Sequence, residues 1–501
     1  MAPKPVERTK KTLDKDLDKL TFVDDAARFA LRRFGPLGAA VLFTAFAMLV
    51  AGVYVFHQPA AVVVVAASAL CAYMAMNIGA NDVTNNVGAA VGARAITMAG
   101  ALIMAAVFEI LGATLAGSRV VETISGGIVS HASVMDAQTL TWIMMAALAA
   151  AAIWLNFATW LNAPVSTTHS IVGAVLGAGI AAGGVDFINW HGMAMIFVSW
   201  VISPLMGGVI AMGFLFLIKE TIIYRDDKIG AACHWVPILI GVMAGSFTAF
   251  LAIQTQYLHG LSVIGATVTG MAVGLLSWVS ARPFVRARAA GLENRTSALR
   301  VLFRLPLIGA AALLSFAHGA NDVSNAIGPL SALVHVTIES RDISAAVGVP
   351  AWVMAIGALG ISVGLLLFGP RLIHLVGEQI TKLNPARAFC VALSSAVTVI
   401  VASWFGLPVS STHIAVGGVF GVGLFREWYT RHSRRRLEYL RAKAGAVELV
   451  EREERNPDET RRRRLVRRSY LVGIVAAWVI TVPLSGALAA LLYWIMVALF
   501  V

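Results

Sequence analysis

Charge is scarce in this chain. Only 13% of its 501 residues are Asp, Glu, Lys or Arg, while 58% are hydrophobic and the mean hydropathy is +0.79. A soluble domain carries about twice that share of charge. A water-exposed globular fold of this size is thereby excluded, and a polytopic membrane protein is expected. Cysteine is scarcer still: Cys71, Cys233 and Cys390 each lie in or beside an apolar stretch. They offer neither a disulfide framework nor the spacing of a zinc site, and they read as packing residues. The net charge of +12 is concentrated in the N-terminal 33 residues, in 282–304 and above all in 426–468. Basic runs can bind nucleic acid, but in so apolar a chain the positive-inside rule accounts for them, and no nucleic-acid partner is expected. The apolar run 36–56 follows the basic N-terminal segment. It is longer than the roughly 7–15 residues of a signal-peptide core, so it reads as a retained span.

What the chain does have is a duplication. Gly79-Ala80-Asn81-Asp82-Val83-Thr84-Asn85 recurs 240 residues later as Gly319-Ala320-Asn321-Asp322-Val323-Ser324-Asn325. Pro164-Val165-Ser166-Thr167-Thr168-His169 recurs 244 residues later as Pro408-Val409-Ser410-Ser411-Thr412-His413. Two polar motifs, repeated in the same order at nearly one offset, mark two copies of one unit. All four copies lie in apolar surroundings. Polar, glycine-broken sequence at membrane depth is tolerated where it is buried in protein or lines a cavity. Paired in two repeats, it points to a transporter's substrate site.

Apolar segments fall at about 36–56, 59–77, 96–116, 140–161, 163–183, 192–218, 235–254, 260–280, 302–318, 346–368, 386–405, 407–425 and 470–500. The fold class expected is all-α and polytopic, with two inverted repeats, discontinuous helices and about 12–13 membrane segments. A helix broken near each Gly-Ala-Asn-Asp copy is expected, because short apolar stretches resume at Val87 and Ile327. Counting each segment as one crossing from a cytoplasmic N-terminus puts 219–234, 281–301, 369–385 and 426–469 inside. These hold Lys219, Arg282, Arg286, Arg371 and the run Arg462-Arg463-Arg464. The segment 117–139, with Arg119 alone, falls outside, as does the C-terminus. The charge bias favours a net crossing at 163–183. Seven crossings separate the repeat starts, and an odd number inverts the second copy. The organisation read from this is a basic cytoplasmic segment (1–35), an extra span (36–56) and a first repeat (59–218). Connecting spans with a basic cytoplasmic loop follow (219–301), then a second repeat (302–500) containing a charged cytoplasmic loop (426–469).

Asn81, Asp82, Asn321 and Asp322 follow a glycine and precede a helical run, positions that suit helix capping and a sharp turn. Capping does not explain an ionisable Asp at depth in both copies, which costs a few kcal/mol. Pro164 and Pro408 suit the first turn of a helix. The hydroxyls of Ser166, Thr167, Thr168, Ser410, Ser411 and Thr412 then sit at helix N-termini, where free N–H groups and the dipole favour an anion. No Lys or Arg lies in any motif. Two aspartates would repel an anion by about 3 kcal/mol each at roughly 6 Å and an effective dielectric near 20. The site becomes neutral if cations accompany the anion, either Na⁺ held by the aspartates with hydroxyl and carbonyl oxygens, or protons. The residue types therefore suggest cation-coupled anion symport.

These four motifs closely resemble the inorganic phosphate transporter family over roughly 59–500. The resemblance implies secondary active uptake of phosphate coupled to Na⁺ or H⁺ across the plasma membrane, with sulfate carriers among the relatives. Carried residue by residue, it implies phosphate ligands among Asn81, Asn321, Ser166, Thr167, Ser410 and Ser411. It implies cation ligands among Asp82, Asp322, Asn85, Asn325, Thr168 and Thr412, with sodium as the metal that could occupy them. No cofactor, no enzymatic activity and no catalytic residue is implied. Membrane lipid is an expected partner, and a homo-oligomer stays open.

The copies differ: Thr84 faces Ser324, Asn86 faces Ala326, and Thr167 faces Ser411. Glu109 lies inside the 96–116 span opposite Ile361 and reads as a coupling acid. Some relatives carry a further acid where this chain has Ala392. His169 and His413 read as structural hydrogen-bonding groups. His318, opposite Ile78, has no repeat counterpart and is excluded from the shared machinery. An intramembrane metal hydrolase using Asp82, Asp322, His169 and His413 lacks an asymmetric catalytic set. An anion channel lacks the basic rings such pores use.

Overall fold

The computed structural model describes residues 12–58, 60–129, 136–161, 165–254, 262–339, 348–377, 384–444 and 468–500. Their chain is helical throughout, with one isolated bridge between Val129 and Ile188. The first half comprises α1 (Thr12–Val55), α2 (Ala61–Gly92), α3 (Met98–Ala116), α4 (Ser118–Gly126), α5 (Ala137–Trp160), α6 (Thr167–Gly183) and α7 (Trp190–Ile218). A π-helical turn, Lys219–Ile223, leads to the pair α8 (Lys228–Gln254) and α9 (Val263–Ala289). The second half comprises α10 (Leu299–Leu302), α11 (Arg304–Asp322), α12 (Ser324–Val334), α13 (Ala351–Gly377), α14 (Pro385–Trp404), α15 (Ser411–His432), α16 (Arg434–Ala444) and α17 (Arg468–Phe500).

Among the described residues, 11 helical stretches are long and apolar enough to cross a membrane. With the shorter α6 and the glycine-rich α15, they correspond to the thirteen apolar segments of the sequence. A helix satisfies its own backbone groups, which hydrocarbon cannot do. The outward faces carry large apolar side chains, such as Leu42, Leu49 and Val53 on α1 and Ile264, Val268 and Leu275 on α9. That is the surface a bilayer solvates.

Hydrophobicity cannot hold helices together in lipid, so packing depends on small residues that let backbones meet. A Cβ on Gly177 of α6 would fall on the backbone of Gly486 in α17, and one on Gly421 of α15 would fall on Gly208 of α7. Gly173 meets Val482 one turn earlier, and Gly417 meets Pro204. Both pairs therefore run parallel. By contrast α7 runs back along α6: Gly179 and Gly192 both lie by residues 127–129, while Trp200 lies tilted against His169 with centroids 3.8 Å apart. Since α15 is parallel to α7 and α7 is antiparallel to α6, the two motif helices α6 and α15 run in opposite directions, as inverted repeats require.

Two expectations change. First, α2 passes unbroken through Gly79–Asn85, and in the second copy only Val323 interrupts the chain, between α11 and α12. Asn81, Asp82, Asn321 and Asp322 are thus not helix caps. The motif glycines serve close approach rather than a turn: a Cβ on Gly79 would meet the carbonyl of Ile361, and one on Gly319 that of Glu109. Second, α6 and α15 begin not at an end of the molecule but beside the motifs of α2 and α11, where Asn81 binds the carbonyl of Val165 and Asn321 that of Leu407. With α5 and α14 they make two hairpins, in which α6 and α15 are the returning arms. A two-armed hairpin and a pair of crossings both come back to the starting end, so the side assigned to every basic loop is unchanged. Pro164 lies outside the described residues.

Candidate ion and anion site

The two hairpin tips enter from opposite ends and meet at Asp82 and Asp322. Ser166 and Ser410 are the N-caps of α6 and α15, accepting from the N–H groups of His169 (3.2 Å) and His413 (3.3 Å). Capping fixes the first turns, and the second hydroxyl of each motif then points at an acid. Thr167 Oγ1 donates to Asp82 Oδ2 at 3.1 Å, and Ser411 Oγ donates to Asp322 Oδ2 at 3.1 Å. These equivalent contacts lie within each repeat. The third hydroxyls cross over. Asn85 donates to Thr412 Oγ1 at 2.8 Å, Asn325 donates to Thr168 Oγ1 at 3.1 Å, and Thr412 donates to Asp82 Oδ1 at 3.0 Å.

The two asparagines that precede the acids hold the tips. Asn81 donates to the carbonyl of Val165 (3.3 Å), and Asn321 to that of Leu407 (3.1 Å). Asn321 Oδ1 also accepts from the N–H of Val409 at 3.1 Å. Trp200 Nε1 adds a bond to the carbonyl of Pro408 at 3.0 Å. His169 and His413 face each other edge to face, with centroids 4.6 Å apart. All twelve phosphate- and cation-ligand candidates therefore gather in one place, and all but Asn81, Asn85 and Thr412 are fully buried.

Sequence reasoning missed His318, which it excluded. The ring is fully buried, with Nε2 at 2.9 Å from Asp322 Oδ2 and 3.6 Å from Asp82 Oδ2, and Nδ1 at 3.1 Å from Glu109 Oε1. Asn86 donates to the same Glu109 oxygen at 2.7 Å. Asn86, Glu109 and His318 are polar where their repeat counterparts are Ala326, Ile361 and Ile78. A signal existed: three polar departures from the repeat, which become one cluster once α3 is laid against α11.

The donor set suits a hard cation. Asp82, His318 and Asp322 bring one ligand atom each within 4.8 Å of one another. Asp322 Oδ1 and Asn325 Oδ1 are buried acceptors that receive no hydrogen bond from the protein. Carboxylate, hydroxyl and amide oxygens are the ligands of hard cations, and a cation there would balance acids that have no Lys or Arg beside them. The α6 and α15 N-termini aim positive helix ends at the same place.

Opposed hairpins meeting on buried acids define a membrane transporter with its site inside the bundle. Comparison with known proteins agrees. The profile of the Phosphate transporter family matches residues 78–489, and the chain belongs to that family. It is 44% identical over 506 residues to a candidate phosphate permease of Helicobacter pylori, covering 91% of this chain and 94% of the relative. A candidate phosphate permease of Pyrococcus horikoshii is 35% identical over 426 residues, covering 84% of this chain and 94% of the relative. A solved structure titled the sodium-dependent phosphate transporter superposes with a TM-score of 0.76 at 32% identity, covering 88% of this chain and 100% of its own. The family is one of permeases, so the hydrolase reading falls, and the chain is a multi-pass membrane protein.

Proposed function

We propose that this protein imports inorganic phosphate across the plasma membrane by symport with Na⁺. The observation that carries the reading is the meeting of Asp82 and Asp322, from two motif copies, at the capped N-termini of α6 and α15. Asp82, Asp322, Asn85, Asn325, Thr168 and Thr412 hold the cations. Asn81, Asn321, Ser166, Thr167, Ser410 and Ser411 bind phosphate once those cations neutralise the acids. The hydroxyls that now donate to carboxylates are freed by cation binding to donate to the anion, which gives the coupling a physical cause. Glu109, linked to the pair through His318, adjusts the charge of the site. Sodium is favoured over protons by the oxygen-rich donor set and by the sodium dependence named for the superposed structure.

Residues 59–218 and 302–500 act as two inverted repeats, and their relative rocking about the hairpin tips exposes the site to either side. The end that carries the basic segments is cytoplasmic. Purified protein in liposomes tests the reading. Labelled phosphate should accumulate under an inward Na⁺ gradient, not under K⁺ alone, and sulfate should compete poorly. Accumulation driven equally by a proton gradient without Na⁺ would refute sodium coupling. Preferential uptake of sulfate would move the substrate to another oxyanion.

A further inference from the structure

Gly241 and Gly245 of α8 and Gly270 and Gly274 of α9 bring these two helices into backbone contact. A Cβ on Gly241 would lie 2.7 Å from the carbonyl oxygen of Gly274, and one on Gly245 2.8 Å from that of Gly270. Where backbones meet over glycine, the flanking side chains stand up as rims. Val242 and Ser246 on α8 and Met271 and Leu275 on α9 are the exposed rims of a groove of about 500 Å³ that runs from Thr267 to Trp278. The opposite face of α8 turns inward, where Phe247 meets Phe316 of α11 edge to face with centroids 4.9 Å apart. The groove therefore opens away from the bundle, on the surface that a bilayer solvates.

Its end is polar. The guanidinium carbon of Arg282 lies 3.6 Å from the ring centre of Trp278. Among the described residues no carboxylate pairs with Arg282, and the buried indole N–H of Trp278 meets no acceptor. Arg286 follows one turn on, exposed and on the same side of α9. About 16 Å of helix separates Thr267 from Trp278. That is about half of a hydrocarbon core of roughly 30 Å. The groove thus has the depth of one leaflet, with its cations at headgroup level.

The positive-inside rule explains arginines at this end of α9. It does not explain an unpaired guanidinium laid on an aromatic face at the mouth of an apolar groove, beside an N–H left without an acceptor, which is costly away from water. An anionic phospholipid answers all three features. An acyl chain fills the groove, a phosphate matches the guanidinium fork, and a headgroup or ester oxygen accepts from the indole. The volume lies within the roughly 300–1,000 Å³ of small-ligand sites. A second copy fits less well: a two-fold contact brings the same patch to itself and sets Arg282 against like charge.

We propose that the α8–α9 groove binds one anionic phospholipid from the leaflet at its basic end, with a chain along the glycines and the phosphate on Arg282. Through Phe247 and Phe316 the lipid would brace the α8–α9 pair against α11, the helix that carries Asp322. No residue of the transport site takes part.

The test is lipid binding to the full chain in detergent, read as the rise in unfolding temperature on adding phosphatidylglycerol or phosphatidylcholine with the same acyl chains. Phosphatidylglycerol should stabilise the parent at lower concentration. Arg282→Gln should weaken it by about 10- to 150-fold in affinity, the value of one charge-assisted hydrogen bond, and erase its advantage over phosphatidylcholine. Ser246→Phe, which fills the groove and spares Arg282, should weaken both lipids, and it carries the test if Arg282→Gln fails to fold. Arg288→Gln is the control, because Arg288 sits over Phe284 outside the groove, 4.9 Å from the ring centre, and should behave as the parent. The proposal is overturned if the two lipids stabilise the parent equally, if Arg282→Gln and Ser246→Phe respond as the parent does, or if Arg288→Gln loses as much as Arg282→Gln. A dimer that Ser246→Phe dissociates, with no lipid effect, would give the groove to a second copy and likewise overturn it. Uptake is not the readout, so this outcome is independent of the proposed symport.

Discussion

Replacing Asp82 by Asn removes a charge while sparing most of the geometry. Asp82 Oδ1 accepts from Asn81 (3.1 Å), Asn85 (3.2 Å) and Thr412 (3.0 Å), and Oδ2 accepts from Thr167 (3.1 Å). An amide oxygen in the Oδ1 position keeps its three donors. The amide nitrogen then faces Thr167, whose hydroxyl can rotate to accept. The fold should therefore lose little, while a bound monovalent cation loses its partner. At about 3 Å and an effective dielectric near 20, that attraction is about 5 kcal/mol. This corresponds to roughly three to four decades in cation affinity. Asp322 differs: among the described residues Ser411 is its one hydroxyl donor, and Oδ1 receives no hydrogen bond. Asp322→Asn should be at least as well tolerated structurally and as damaging to transport. The assay is Na⁺-driven uptake of labelled phosphate in liposomes, with thermal unfolding and membrane yield measured alongside. Both variants should be present at parental levels and inactive at Na⁺ concentrations that saturate the parent. Parental uptake rates in both single variants would refute the reasoning.

Gly79→Ala and Gly319→Ala each place a methyl on a neighbouring backbone carbonyl. Each should cost about 1–3 kcal/mol, seen as a lowered unfolding midpoint. Ser166→Ala and Ser410→Ala each remove an N-cap and should cost about 1 kcal/mol of stability. They should also raise the apparent KM for phosphate more than that for Na⁺; unchanged equilibrium phosphate affinity in both variants would leave these serines as caps alone. With Cys71, Cys233 and Cys390 replaced, a cysteine at Asp186 and one at Glu438 should react with impermeant reagent from opposite sides of the membrane. Reaction from the same side would overturn the proposed topology.

The sequence by itself determined the membrane class, the duplication and the residue types of the site. Scarce charge rules out a water-exposed fold, and a motif that must be polar at depth stands out against apolar surroundings. The repeat alignment also pairs Glu109 with Ile361, and these two residues receive the equivalent glycines Gly319 and Gly79. Only the tertiary structure decided where the chain breaks. Gly-Ala-Asn-Asp reads as a turn because glycine and asparagine favour turns locally. Packing against Ile361 and Glu109 instead uses the missing Cβ; the helix stays whole through the first copy and is interrupted in the second at Val323 alone. The hairpins were hidden for a related reason: hydropathy measures apolar length, and an arm that stops at a buried site is as apolar as one that crosses. His318 was lost because the repeat comparison looks for what the copies share. Its role comes from contacts with Asp322, Asp82 and Glu109. The last two come from other helices, and no spacing along the chain encodes them.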